Sequence, residues 1–234
     1  MLGVLANTLA VLIGGGIGML CGSRIKSRYT ESLMTALGLA TMGMGVASAV
    51  GTADVLCIIL CCSLGTVIGE LLHIDDGVNA LGRIAERRLG GRAGGSFTSA
   101  FVSCSIMFCV GSMAVMGSVE AGINGDNSIL FAKAVLDLIA SLTYGAAMGA
   151  GVALSFVCVL AVEGALTLLA GAVGTFLSEA VIGEMSAVGG VLLIGLAINL
   201  LGLREKQIKI ANMLPGVFLP VLYVPVYDWL SSVL

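Results

Sequence analysis

Apolar residues in this chain gather in blocks of membrane-spanning length that follow one another almost from end to end, and charged positions collect in the gaps. A helix needs about 20 mainly apolar residues to cross a bilayer core. Blocks of that kind cover residues 2–21, 31–50, 54–73, 98–118, 129–148, 151–171, 185–203 and 209–230, which predicts eight spans. The expected fold is therefore all-α, a polytopic transmembrane helical bundle with residues 1–234 forming one integral membrane domain. Between the third and fourth blocks the pattern changes. Over residues 77–92, Val78, Leu81, Ile84, Ala85 and Leu89 recur at helical spacing among Arg83, Arg87, Arg88 and Arg92. That mixture predicts a short amphipathic helix at the membrane interface, suited to anionic lipid or to a docking partner. Only Gly149-Ala150-Gly151 separates the fifth and sixth blocks, which fits either a tight reversal or one long broken helix.

Composition agrees with the pattern. Hydrophobic residues make up 58% of the 234 positions and Asp, Glu, Lys and Arg only 11%, with a mean hydropathy of +1.10. A soluble domain carries about a quarter charged residues, so lipid is the expected solvent and the first partner. The 14 acidic and 11 basic residues give a formal charge of -3. No basic surplus remains to neutralise phosphates, and nucleic acid is not an expected partner. Seven cysteines sit mostly inside apolar blocks, where small buried hydrophobes are expected rather than a disulfide framework. At the N-terminus the basic residues follow the first apolar block instead of preceding it, so residues 2–21 are read as a retained span.

Charge also orients the spans. Lys and Arg accumulate in short cytoplasmic loops. Arg24, Lys26 and Arg28 follow the first span, Arg83, Arg87, Arg88 and Arg92 the third, and Arg204, Lys206 and Lys209 the seventh. With eight spans and both termini outside, all three clusters face the cytoplasm and only Lys133 falls elsewhere. Asp54, Glu120, Asp126, Glu179 and Glu184 are then expected in exterior loops, among them the acidic turn-forming stretch from Val119 to Ser128.

A faint repeat relates each residue to the one 151 positions later: Met34-Thr35-Ala36-Leu37-Gly38 matches Met185-Ser186-Ala187-Val188-Gly189. The offset sets spans one to three against spans six to eight with opposite direction, an inverted 3+3 repeat around two central spans. Inverted halves are a recurrent basis of alternating access. Gly14, Gly18 and Gly22, like Gly65 with Gly69 and Gly145 with Gly149, are spaced for close helix packing. No phosphate-binding glycine fingerprint occurs, so no nucleotide and no other cofactor is expected.

Polar residues at membrane depth supply the candidate chemistry. Asp137 and Glu163 lie inside apolar blocks, equally far from the reversal at 149–151, so they are expected at similar depth. Two such acids bind a cation, share a proton, or bond to neighbouring polar groups. Lys133, one turn before Asp137, is placed to pair with it, which weakens a simple metal site and leaves proton coupling open. Asn7, Asn199 and Asn212 add neutral ligands or helix contacts, beside Thr8. Pro215, Pro220 and Pro225 break the last span; Pro215 and Pro220, with Lys133, are candidate gating residues. Glu70 and the lone His73 fit a structural contact better than a metal site, and Cys104, Met107, Cys109, Met113 and Met116 fit interface packing better than Cu(I). No metal is assigned. No nucleophile-orienting constellation occurs, so an enzyme is not expected.

Taken together, Gly3 to Thr8 with Gly14 to Gly18, Phe108 to Ser118, Lys133-Ala134-Val135-Leu136-Asp137, Glu184 to Gly190 and Gly195 to Leu201 resemble the DUF554 family of bacterial inner-membrane proteins, of the YqgA and YdfK types. The resemblance implies a bacterial inner-membrane location and a connection to transport, with no substrate and no catalytic set to carry over. The function expected is a small-ion or small-solute transporter, cation-selective or proton-coupled, with Asp137, Glu163, Asn7, Asn199 and Asn212 along the pathway. The alternative is a non-transporting scaffold or sensor assembled through Gly-rich helix faces as a homo-oligomer or with a partner.

Overall fold

A computed structural model describes residues 1–22, 27–88 and 97–233. Arg24, Lys26, Leu89, Arg92 and the glycine pairs at 90–91 and 94–95 lie outside the described residues. All regular structure within them is helical: α1 (Leu2–Gly22), α2 (Ser27–Val50), α3 (Val55–Leu71), α4 (Ile74–Arg88), α5 (Phe97–Cys109), α6 (Ser112–Ile123), α7 (Ser128–Met148), α8 (Ala150–Leu154), α9 (Phe156–Val173), α10 (Glu179–Leu200), α11 (Pro215–Phe218) and α12 (Pro220–Val233), with single 3-10 turns at Gly174–Phe176 and Ile210–Met213.

Among the described residues, five helices are long and apolar enough to cross a membrane, and up to eight spans result if each bent pair counts as one. The bent pairs are α3 with the start of α4 (59°), α5 with α6 (58°), and the 210–218 stretch with α12 (44°). Leu5, Leu9, Ile59, Leu64, Leu168 and Leu222 are among the large apolar side chains facing outward, the pattern of a bundle solvated by lipid.

Local chemistry explains the ends. Asp54 caps α3 by accepting from the Leu56 N–H at 2.9 Å, and Ser178 caps α10 by accepting from Val181. Gly149, at φ 82°, reverses the chain between α7 and α8; only glycine takes that conformation cheaply. The fifth and sixth spans are thus separate helices. A methyl group placed on Gly149 would meet nothing within 4 Å, so this glycine acts as a turn residue and not as the packing residue its spacing suggested.

Several boundaries differ from expectation. The block 98–118 is two helices broken near Gly111, and the second continues to Ile123. Glu120 therefore sits in a helix, accepting from Asn124 at 2.7 Å, and the connection shrinks to residues 124–127. The block 185–203 begins earlier, at Glu179, because Ser178 supplies the cap. Glu184 is consequently a helical residue, 5% exposed, and not a loop acid. The amphipathic helix starts at Ile74 instead of residue 77, after a sharp corner in which His73 holds φ 53°.

Glycine sets how closely the helices approach. A Cβ at Gly14, Gly18 or Gly22 would lie 2.1 Å from Ser141 Oγ, 2.2 Å from the Leu142 carbonyl oxygen or 2.2 Å from the Ala146 carbonyl oxygen, so α1 and α7 lie backbone to backbone along their length. Their contacts advance together along both chains, which makes the two helices parallel. α2 packs against α10 in the opposite sense, and α3 against the 210–218 stretch through Gly65 and Gly69. α6 and α9 complete the layer around α1 and α7.

Candidate functional site

α7 buries a stripe of polar residues at helical spacing, Lys133, Asp137, Ser141 and Tyr144. Its parallel neighbour α1 buries Asn7 and Thr8, and α9, running back from Gly149, buries Glu163. The three helices meet so that the Lys133 ammonium pairs with Asp137 and lies 3.4 Å from Glu163 Oε1. Asn7 Nδ2 donates to the same Oε1 at 2.8 Å. Asn7 and Glu163 are fully buried, and Lys133 is 5% and Asp137 9% exposed. A charge so placed persists only when paired, and here one ammonium serves two carboxylates. The paired depth expected for Asp137 and Glu163 is realised through Lys133, which bridges them.

Asn199 and Asn212 stand apart from that layer. Asn199 spends both ends of its amide on Ile208, donating to the carbonyl at 2.9 Å and accepting from the N–H at 2.8 Å. Asn212 accepts from the Asp75 N–H at 2.7 Å, joining the last span to the start of α4. Both ends of the Asn199 amide are thereby engaged in pinning backbone. Pro215 opens α11 and Pro220 opens α12, flanking the 44° bend. Glu70 meets Lys209 at 3.4 Å and His73 meets Asp76 at 3.5 Å, both at the exposed end of α3. All seven cysteines are free thiols. Among the described residues no group of three or more His, Cys, Asp and Glu is placed to hold a metal ion.

Two adjoining cavities enter the bundle from the end that carries Lys206 and Lys209. The outer one, about 760 Å³, is lined by Asp75, Asn79, Ser103, Asn199, Lys206 and Lys209 among others. At its mouth burial pushes the Asp75 carboxyl upward, against the opposing pull of Lys209. The inner one, about 220 Å³, shares Val102 and Ile106 with it and reaches the α5–α6 break, where Cys109, Val110, Gly111 and Cys158 line the wall. Cys109 lies within electrostatic reach of Lys133, Asp137 and Glu163.

Sequence reasoning passed over two hydroxyl residues near the layer and misplaced one acid outside it. Ser118 on α6 and Thr167 on α9, one turn from Glu163, are buried, and small hydroxyl residues in an apolar run give little signal. Glu184 accepts from Thr52 Oγ1 at 2.6 Å, the Ala53 N–H at 2.7 Å and the Asp54 N–H at 3.2 Å, holding the α2–α3 turn. The Thr41–Tyr144 hydrogen bond, which ties α2 to α7, was likewise unmarked.

The family described as "Protein of unknown function (DUF554)" matches residues 2–225, and the chain belongs to it. It is similar to "Uncharacterized protein YqgA" of Escherichia coli (strain K12), 29% identical over 222 residues that cover 93% of this chain and 94% of the relative. It is also similar to "Uncharacterized membrane protein YdfK" of Bacillus subtilis (strain 168), 27% identical over 225 residues with 94% of each chain covered. No solved structure matches it.

Proposed function

We propose that this membrane protein of the DUF554 family carries a small cation or proton across a bacterial inner membrane, using Asp137, Lys133, Glu163 and Asn7 as the central station. The observation that carries the reading is one ammonium shared between two buried carboxylates on separate helices. Such an arrangement is costly to build for packing alone, since well-packed apolar residues give equal or greater stability. It becomes useful when one carboxylate exchanges Lys133 for a moving ion. In this reading the cavities at the Lys206 and Lys209 end would serve as the route in, and the proline-flanked bend and the α5–α6 break would serve as the joints.

The inverted-repeat reading has specific support. Gly65 and Gly216 are equivalent positions at the offset of 151, and a Cβ on Gly65 would lie 2.3 Å from Gly216 Cα. In two halves related by a two-fold axis, an equivalent pair that touches lies on the axis. α2 and α10, also equivalent, pack on each other in opposite directions. The scaffold alternative loses ground on the glycines: the stripes of α1 and α3 are occupied within the chain, against α7 and the 210–218 stretch.

Reconstituted in liposomes with a pH-sensitive dye inside, the protein is expected to move protons when a cation gradient is imposed. Asp137→Asn and Glu163→Gln, checked for folding, should each remove that movement; normal flux in both variants would sink the assignment. Orientation is tested separately. In a cysteine-free background, Arg83→Cys should resist an impermeant thiol reagent in intact cells, whereas cysteines added at both termini should react. Labelling at position 83 from outside would reverse the orientation of the bundle in the membrane.

A further inference from the structure

Around Glu163, five buried side-chain oxygens have no hydrogen-bond partner: Asn7 Oδ1, Thr8 Oγ1, Ser118 Oγ, Thr167 Oγ1 and Glu163 Oε2. None of these residues is more than 7% exposed. They share one layer of the bundle. Asn7 touches Glu163 directly, and Thr167 stands one helical turn beyond it on the same face. Ser118 stands one turn before Gly122, whose Cβ position is 2.3 Å from the Thr167 carbonyl oxygen. Thr8 is one turn from Val4, which packs with Ala121 and Leu130 of the adjoining helices. Unpartnered oxygens in a dry interior are costly. Five in one layer, beside a carboxylate, call for a common occupant.

Charge balance identifies it. Glu163 is faced by Lys133 and Asp137 from α7, and Cys109 of α5 lies within its electrostatic reach; among the described residues, α1 and α6 bring Asn7, Thr8 and Ser118 to this layer. Lys133 and Asp137 cancel as a pair, so ionised Glu163 leaves one negative charge in an apolar interior. One proton or one monovalent cation restores neutrality; a divalent ion would leave an excess positive charge. The all-oxygen lining suits a hard cation and not a soft one.

We propose that Glu163 is the exchange group of an alkali-cation/proton site, with Asn7, Thr8, Ser118 and Thr167 as its neutral oxygen ligands. In the proton-loaded form Oε2 carries the proton and donates to Asn7 Oδ1, while Asn7 Nδ2 donates to Oε1, which closes a neutral acid–amide ring. In the cation-loaded form Na+ or Li+ takes the place of that proton among the unpartnered oxygens. The step is Glu163–COOH + Na+ giving Glu163–COO−·Na+ + H+, the proton leaving to water. Exchange is therefore one for one and electroneutral.

This inference rests on the carrier reading and narrows it to one residue and one class of ion. The full chain in liposomes, with membrane potential clamped to zero, is challenged with gradients of NaCl, LiCl, KCl, CaCl2 and choline chloride. Na+ or Li+ should drive counter-movement of protons with no dependence on the clamp, and Ca2+ and choline should not. Glu163→Gln, which keeps the amide ring, should fold yet reduce the exchange to the level of protein-free liposomes. Thr167→Val should raise the half-saturating Na+ concentration about tenfold, the scale of one lost ligand contact. In detergent at alkaline pH, NaCl should raise the melting temperature of the unaltered protein and leave that of Glu163→Gln unchanged. Cation-driven proton movement that survives in Glu163→Gln, or that Ca2+ drives as well as Na+, overturns the site while the carrier reading stands. Silence with every cation in folded protein overturns both.

Discussion

Glu184 and Glu163 are both buried carboxylates on long helices, yet their oxygens are used in opposite ways. Glu184 receives three donors from the α2–α3 turn and reads as a fastener. Glu163 receives two donors on Oε1 and none on Oε2, among other unpartnered oxygens. Asn199 and Asn7 repeat the contrast: the first has both ends of its amide engaged by Ile208, the second only its nitrogen. Burial alone therefore does not mark a functional polar group in a membrane bundle. Saturation separates the two regions, because a saturated group has nothing left to offer a ligand.

The sharpest way to break this comparison is to remove the shared cation. Lys133→Met leaves Asp137 and Glu163 facing each other without a counter-charge, and uncompensated buried charge costs about 3–5 kcal/mol. The melting temperature in detergent should fall accordingly. Adding Asp137→Asn to Lys133→Met should recover much of the loss, since the remaining acid can take up a proton. If the double variant melts no higher than Lys133→Met, the layer is held by side-chain shape and the charge argument fails.

How far the sequence revealed each region follows from the same physics. Asp137, Lys133, Glu163 and Asn7 were legible because ionisable and amide groups inside apolar blocks are costly and stand out. The approach of Asp137 and Glu163 was legible because a reversal at Gly149 puts α7 and α9 side by side, whereas the arrival of Asn7 depends on the packing of α1 against both and was not. Ser118 and Thr167 were not, since a hydroxyl in a helix normally bonds within its own chain and carries no signal of its partners. Asn199 and Asn212 were expected along the pathway because sequence shows that an amide is buried but not whether its atoms are already engaged. The α5–α6 break was missed because the residues on either side of Gly111 form one continuous apolar run. The start of α10 was placed too late for a related reason: Ser178 and Glu179 look like loop residues until the hydroxyl is seen to cap the helix.

A smaller effect isolates the difference itself, because the same substitution can be made at both acids. Glu184→Gln keeps the shape but gives up the charge that strengthens three hydrogen bonds, and it should cost about 1–2 kcal/mol in thermal unfolding while cation-driven proton movement continues. Glu163→Gln replaces an acid proton with an amide hydrogen in the same ring, so its stability should stay within about 0.5 kcal/mol while the movement stops. The two variants thus separate along different axes, one in melting temperature and one in flux. Loss of flux in Glu184→Gln at full folding would show that the α2–α3 turn belongs to the moving part of the bundle, and the division between fastener and site would have to be redrawn around α10.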